Sequence, residues 1–152
     1  MTTFRDAVID LASAPALRPL MPKLLSAVAE SLLARNLDLA LLQVGPWIVH
    51  VADAPEVDRI LTGYAPGHAL GQYIHADVDI VSLRLALRKF NLAKLDRVER
   101  EVILRYWDPR VLRMFLTHTS PEQRRRFMEW TRHIKWPDGT VMLNETAAEF
   151  GR

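Results

Sequence analysis

The groups of this chain able to ligate a metal, shuttle a proton or attack a carbonyl are few and poorly spaced for it. His50, His68, His75, His118 and His133 are the five histidines, and no two stand four residues apart, the spacing that puts two ligands on one helical face. His68 and His75 could converge with Asp77 or Asp79 on a metal, but the loop between the two histidines imposes no such geometry. Ser82 or Ser120 with His118 and Asp108 supplies the residue types of a catalytic triad, yet nothing marks either serine as a strained nucleophile. Asp77 and Asp79 read as helix-capping candidates rather than a working carboxylate pair. No glycine-rich phosphate loop, HExxH, GxSxG or calcium loop is present, and the absence of cysteine removes disulfides, thiol nucleophiles and thiolate clusters. The expectation is a chain with no catalytic, cofactor-binding or metal-ligating residue, and so no enzyme.

Charge offers a second kind of chemistry. The chain carries 20 Lys+Arg against 18 Asp+Glu, but residues 1–76 hold 5 basic and 7 acidic side chains whereas 77–152 hold 15 and 11. The excess is sharpest over 105–135, with 8 basic residues, Arg105, Arg110, Arg113, Arg124, Arg125, Arg126, Arg132 and Lys135, against 3 acidic ones. A basic face of this kind steers an acidic protein segment or a nucleic acid, and Tyr106, Trp107 and Trp130 lie among the cations where they could stack on bases. A solvated helical face is the plainer reading. Within the span, Leu104-Arg105-Tyr106-Trp107-Asp108-Pro109-Arg110-Val111-Leu112 stands out: a strand ends at an acidic cap, a proline fills the first helical turn, and Arg110 can fold back toward Asp108, Tyr106 or Trp107. The expected role of that joint is to hold strand to helix, with Arg110 the best candidate for direct contact with a partner.

The elements that position these residues follow from local pattern. At 152 residues with 49% hydrophobic and 25% charged side chains, the chain is sized for one folded domain. Residues 4–11 fit either a helical stripe or a short strand. A helix is predicted over 22–34, strands over 39–43 and 47–51, and a short helix with Pro55 in its first turn that turns Val57, Ile60 and Leu61 inward. A strand is predicted around 70–75. A helix capped by Asp77 or Asp79 then runs to about Phe90, with Val81, Leu83, Leu85, Leu87 and Phe90 as its apolar face. The strongest strand signal is 98–107, followed by helical residues 111–116 and by a second helix with Ser120 as cap, Pro121 in its first turn, Phe127 and Trp130 as apolar residues and Arg124, Arg125 and Arg126 exposed. Residues 135–142 read as a hairpin around Pro137-Asp138-Gly139, and 144–152 as a short tail. The fold class is α/β, or α+β: a single domain of a short mixed sheet flanked by helices.

The segment from Arg105 to Leu112 resembles the arginine, two aromatics, Asp-Pro-Arg and apolar pair of a bacterial family that carries the domain of unknown function DUF4123. Gly45-Pro46-Trp47-Ile48-Val49-His50-Val51 is similar to the family's proline-led strand, 83–90 to the helix before the motif, and 116–127 to its loop with Ser-Pro-Glu-Gln and a following aromatic. The resemblance is best over 38–143 of a domain taken as 1–143, with a weaker match at 7–12 that implies a first strand. Residues 96–100 depart from it where the family often has a glycine turn, and the helical C-terminal lobe of longer relatives is not expected here. The resemblance implies a non-enzymatic adaptor or chaperone that binds a type VI secretion effector toxin and helps load it onto the spike, a VgrG or PAAR-type protein. Its motif and partner-binding candidates are Arg105, Tyr106, Trp107, Asp108, Arg110, Arg124, Arg125, Arg126 and Trp130. The absence of an apolar run of membrane-spanning length and of a signal-like start points to the cytoplasm and to no membrane partner. A nucleic-acid-binding module using the basic face of 105–135 is the alternative.

Overall fold

Strand β1 (Phe4–Asp10) is the pivot of the domain, because its residues 6–10 are buried on both faces. The computed structural model describes residues 4–13, 15–20, 22, 29–33, 39–63, 70–95 and 97–145. On one side β1 pairs with β3 (Pro46–His50), and on the other with β4 (Gly71–Ala76). The sheet is completed by β2 (Ala29–Ser31) beside β3 and by β7 (Thr131–Lys135) and β8 (Val141–Leu143) beyond β4, in the order β2-β3-β1-β4-β7-β8. A separate two-stranded ladder joins β5 (Leu92–Leu95) to β6 (Val98–Ile103). The domain is α+β. Every strand pair among the described residues is antiparallel, so the sheet is not the mixed one expected.

Among the described residues five α-helices accompany the strands: α1 (Leu39–Leu42), α2 (Pro55–Gly63), α3 (Ile80–Arg88), α4 (Pro109–His118) and α5 (Pro121–Met128). Side-chain alternation along β1 assigns them to two layers. Val8 points with Ile48, Ile74 and Ile134 into a core closed by Leu83 and Leu87 of α3, Leu112 and Leu116 of α4, and Phe127 and Met128 of α5. Ala7 and Ile9 point the other way, with Trp47, Val49 and Tyr73, toward Leu17 of a 3-10 turn (Pro15–Leu20) and Val57 and Leu61 of α2. Each fully buried aliphatic side chain contributes about 1.5–3 kcal/mol, so an antiparallel sheet covered on both faces gains what a one-faced sheet of this size would lack.

Local signals that depend on neighbours in sequence are met. Pro55, Pro109 and Pro121 open helices, Asp108 caps α4, Ser120 caps α5, and residues 4–10 are a strand as the resemblance implied. The 135–142 hairpin closes through Gly139 N–H on Trp136 O at 2.9 Å, with Gly139 at φ 86°, a left-handed conformation suited to glycine. Asp79 rather than Asp77 caps α3, through Ser82 N–H at 2.8 Å. Long-range pairing overrides several other expectations. Residues 29–31 leave the predicted 22–34 helix to pair with β3, while 23–28 and 34 lie outside the described residues. The predicted 39–43 strand is the single helical turn α1, whose Leu42 carbonyl accepts the Trp47 indole N–H at 2.8 Å. On α3 the buried residues are Ile80, Leu83, Arg84 and Leu87, whereas Val81 and Leu85 are exposed. The 98–107 strand ends at Ile103, and its β-ladder lies outside the main sheet, with Leu92 and Ile103 paired and exposed. Of the 144–152 tail, Asn144 is tied by its amide to the Met128 and Thr131 carbonyls, and 146–152 lie outside the described residues.

Candidate functional site

The joint between β6 and α4 packs its aromatics inward and leaves its arginines at the surface. Tyr106 and Trp107 are 0% and 6% exposed, their rings edge-on with centroids 5.2 Å apart, and Tyr106 also meets Phe127 edge-on at 5.8 Å. Burial pushes the Tyr106 hydroxyl well above its usual range. That hydroxyl donates to Asn91 Oδ1 at 2.8 Å, and the Asn91 amide donates to Leu32 O at 2.9 Å, which links the joint to the end of β2. The Tyr106 carbonyl accepts Gln72 Nε2–H at 2.7 Å from inside β4. Asp108 Oδ1 accepts the backbone N–H of Arg110 at 2.9 Å and its Nε–H at 3.1 Å, and Oδ2 accepts from Nη2 at 2.8 Å. Burial raises the Asp108 carboxyl, but these Arg110 contacts, with Arg105 nearby, outweigh it and hold the group below the usual carboxylate range. Arg105 reaches away from the motif to buried Asp10, donating to Oδ2 at 3.1 Å, while Ala12 N–H and Ser13 Oγ–H complete that carboxylate.

A family model, the domain of unknown function DUF4123, matches residues 7–126 of the 152-residue chain. The chain belongs to the DUF4123 family. No curated protein and no solved structure matches it. Within this DUF4123 chain the motif residues are structural in geometry: Tyr106, Trp107 and Asp108 are buried, so the two aromatics are not available to stack on bases, and Arg110 folds back onto Asp108. The matched region ends at Arg126, so β7 and β8 lie beyond it.

Three of the candidates, Arg110, Arg124 and Arg125, line two neighbouring concavities on the DUF4123 domain. A cleft of about 400 Å³ lies between α4 and the β7–β8 turn, lined by Arg110, Arg113, Met114, His118, Trp136 and Asp138 among others. Arg113 donates to both Asp138 oxygens, at 2.9 and 3.0 Å, and stands 4.7 Å over the Trp136 ring. Hydrogen bonds from Arg113 and Thr140 hold the Asp138 carboxyl far below its usual range. A larger groove of about 840 Å³ shares Arg113 and Trp136, and is walled by Arg124, Arg125 and Met128 of α5 and by Val141, Met142 and Leu143 of β8. Arg126 points elsewhere and pairs with Glu122 at 3.2 Å, and Trp130, beyond the end of α5, is 44% exposed. Sequence reading missed Trp136, which joins the two concavities, because its local signal was that of a hairpin turn.

Among the described residues, several of the histidine and serine candidates are engaged elsewhere. His75 stacks on His133 with centroids 3.9 Å apart, Asp77 pairs with Arg132, and Ser82 and Ser120 belong to helix caps. His68 lies outside the described residues. Among the described residues no group of three or more His, Cys, Asp or Glu is placed to hold a metal, and no helix is long and apolar enough to cross a membrane.

Proposed function

We propose that this DUF4123 protein is a non-enzymatic adaptor that binds a type VI secretion effector in the producing cell's cytoplasm and assists its loading onto a VgrG or PAAR-type spike protein. The observation that carries the reading is membership of the family over residues 7–126, with Arg110 of the Arg-Tyr-Trp-Asp-Pro-Arg joint paired with Asp108 and Arg105 paired with Asp10 of β1. Two concavities that mix arginine with apolar side chains supply the sort of surface a protein partner covers, an apolar centre with a charged rim. Nucleic acid is the less favoured partner. Arg105, Arg110, Arg113, Arg126 and Arg132 each carry a carboxylate partner, which removes five of the eight cations of the basic span from phosphate neutralisation.

Co-expression with the product of a neighbouring reading frame that encodes a toxin or spike protein, followed by size-exclusion chromatography, tests the reading. Co-elution as a stoichiometric complex, with a gain in the partner's solubility, is the expected result. Separate elution at micromolar concentration with no such gain would overturn it. Binding to single-stranded DNA that falls steeply as salt rises above about 50 mM would instead favour the nucleic-acid alternative.

A further inference from the structure

We propose that the groove between α5 and β8 seats an extended segment of the partner protein whose residues alternate acidic and apolar, added to the sheet as a strand beside β8. The proposal rests on the adaptor reading and names the form of the partner it engages.

Strand β8 is the end strand of the sheet among the described residues. Trp136 N–H donates to Thr140 O at 2.9 Å and Asn144 N–H donates to Arg132 O at 2.8 Å, so residues 140, 142 and 144 turn their backbone groups toward β7. The alternation of an antiparallel ladder then turns the N–H and C=O of Val141 and Leu143 outward. An edge of this kind is usually blunted by charge or proline, but Val141-Met142-Leu143 carries neither, and Val141 and Leu143 are 49% and 67% exposed. Among the described residues it is an unpaired template for another strand.

The chemistry of the groove says what that strand carries. Arg113, Arg124 and Arg125 line it against one acid, Glu145, and Arg124 and Arg125 form no ion pair among the described residues. Two buried donors of groove-lining residues, Arg124 Nε–H and Trp136 Nε1–H, have no acceptor among the described residues. Buried donors are rarely left unmatched, and the acceptors that also answer two guanidinium groups without an ion pair among those residues are carboxylates. Met142 shares the α5 side of the sheet with the Ile134 core, whereas Val141 and Leu143 face the opposite side. A strand laid beside β8 therefore presents every second side chain to Arg124 and Arg125, where an acid fits, and the intervening ones beside Val141 and Leu143, where an apolar residue fits. A second copy of this chain is a poor occupant: β8 carries no acid, and antiparallel pairing of two β8 strands keeps both α5 helices on one face, arginines together.

The probe is a capped, fluorescein-labelled octapeptide of alternating glutamate and valine, titrated into the full chain and followed by anisotropy. Saturable binding is expected, with about tenfold or greater weakening for the lysine-valine peptide and for the glutamate-valine peptide N-methylated at alternate positions. Leu143→Pro removes an outward N–H, and Arg124→Glu with Arg125→Glu reverses the groove's charge. Both are expected to lower affinity by about tenfold or more while circular dichroism stays that of the parent. Should either variant misfold, the N-methylated peptide on the parent protein still decides. Equal binding of the glutamate and lysine peptides, indifference to N-methylation, or a concentration-dependent dimer abolished by Leu143→Pro would overturn the proposal. An effector complex that forms unchanged with Leu143→Pro and with the arginine reversal sinks the groove but leaves the adaptor reading standing. Peptide binding without any effector complex does the opposite.

Discussion

Asp108 engages Arg110 with both carboxylate oxygens and also caps α4 through the Arg110 backbone N–H. Asp108→Ala removes the α4 cap and the partner of Arg110 together, and is expected to cost about 1–3 kcal/mol in urea unfolding. Arg110→Ala keeps the cap, because its donor is main chain, and deletes a side chain that is 72% exposed, so its loss should be the smaller of the two. The opposite ranking would show that the guanidinium holds the joint. Arg84 is the contrasting case: it is 1% exposed, donates from Nε to Ser31 O at 2.6 Å and from Nη2 to Leu33 O at 3.2 Å, and stands 3.5 Å from Glu30. Arg84→Met fills the space but orphans those carbonyls, for an expected loss of about 1–3 kcal/mol. The Asp108 cap was legible in sequence because the residues it serves are its neighbours. Arg84 carries no such local signal, because its partners lie more than fifty positions away.

Gly71 opens β4 against β1, and a Cβ built there would sit 2.2 Å from Val8 O. Gly71→Ala must push two paired strands apart, and a loss of about 2–4 kcal/mol is expected from thermal or urea denaturation. Gly63, at the end of α2, has nothing within 4 Å of the same position, so Gly63→Ala should be neutral or gain up to about 1 kcal/mol. Similar destabilisation by both substitutions would mean that the β1–β4 approach is not what makes Gly71 necessary. Elements whose boundaries are set by caps, prolines and turns were readable: α2, α4, α5 and the β7–β8 hairpin. Elements set by distant pairing were not. Ala29-Glu30-Ser31 has no strand signal of its own and becomes one because β3 offers an open edge, and Leu39–Leu42 has an apolar run that local pattern cannot assign. The groove was half legible: Arg124 and Arg125 were singled out as exposed cations, but the β8 wall facing them follows from the order of the strands.

For the molecule as a whole, acid sensitivity follows from the His75–His133 stack across β4 and β7. Burial, then the positive charge of His133, Arg5 and Lys135, pushes His75 down to about 4 from an ordinary 6.5, and burial with Arg132 and Lys135 lowers His133. Below 6.5 the unfolded chain takes up protons that the folded chain refuses, so stability present above 6.5 is lost progressively as pH falls toward about 4. Thermal midpoints measured from about pH 7.5 down to about pH 4.5 should fall, and His75→Gln with His133→Gln should flatten that decline. A parent-like slope in the double variant would place the acid sensitivity elsewhere. The strand order has a different consequence, for the chain as it is made. Val8 meets Ile48 and Gln72, and Ile74 meets Ile134 about sixty residues on, whereas the β5–β6 ladder closes over about ten. Contacts so distant in sequence put folding of the sheet in the slow, millisecond-to-second class. A ribosome adding about 5–20 residues per second therefore holds a nascent chain whose β4 edge stays open for several seconds, until β7 has left the exit tunnel, and that interval is when this protein is most exposed to aggregation.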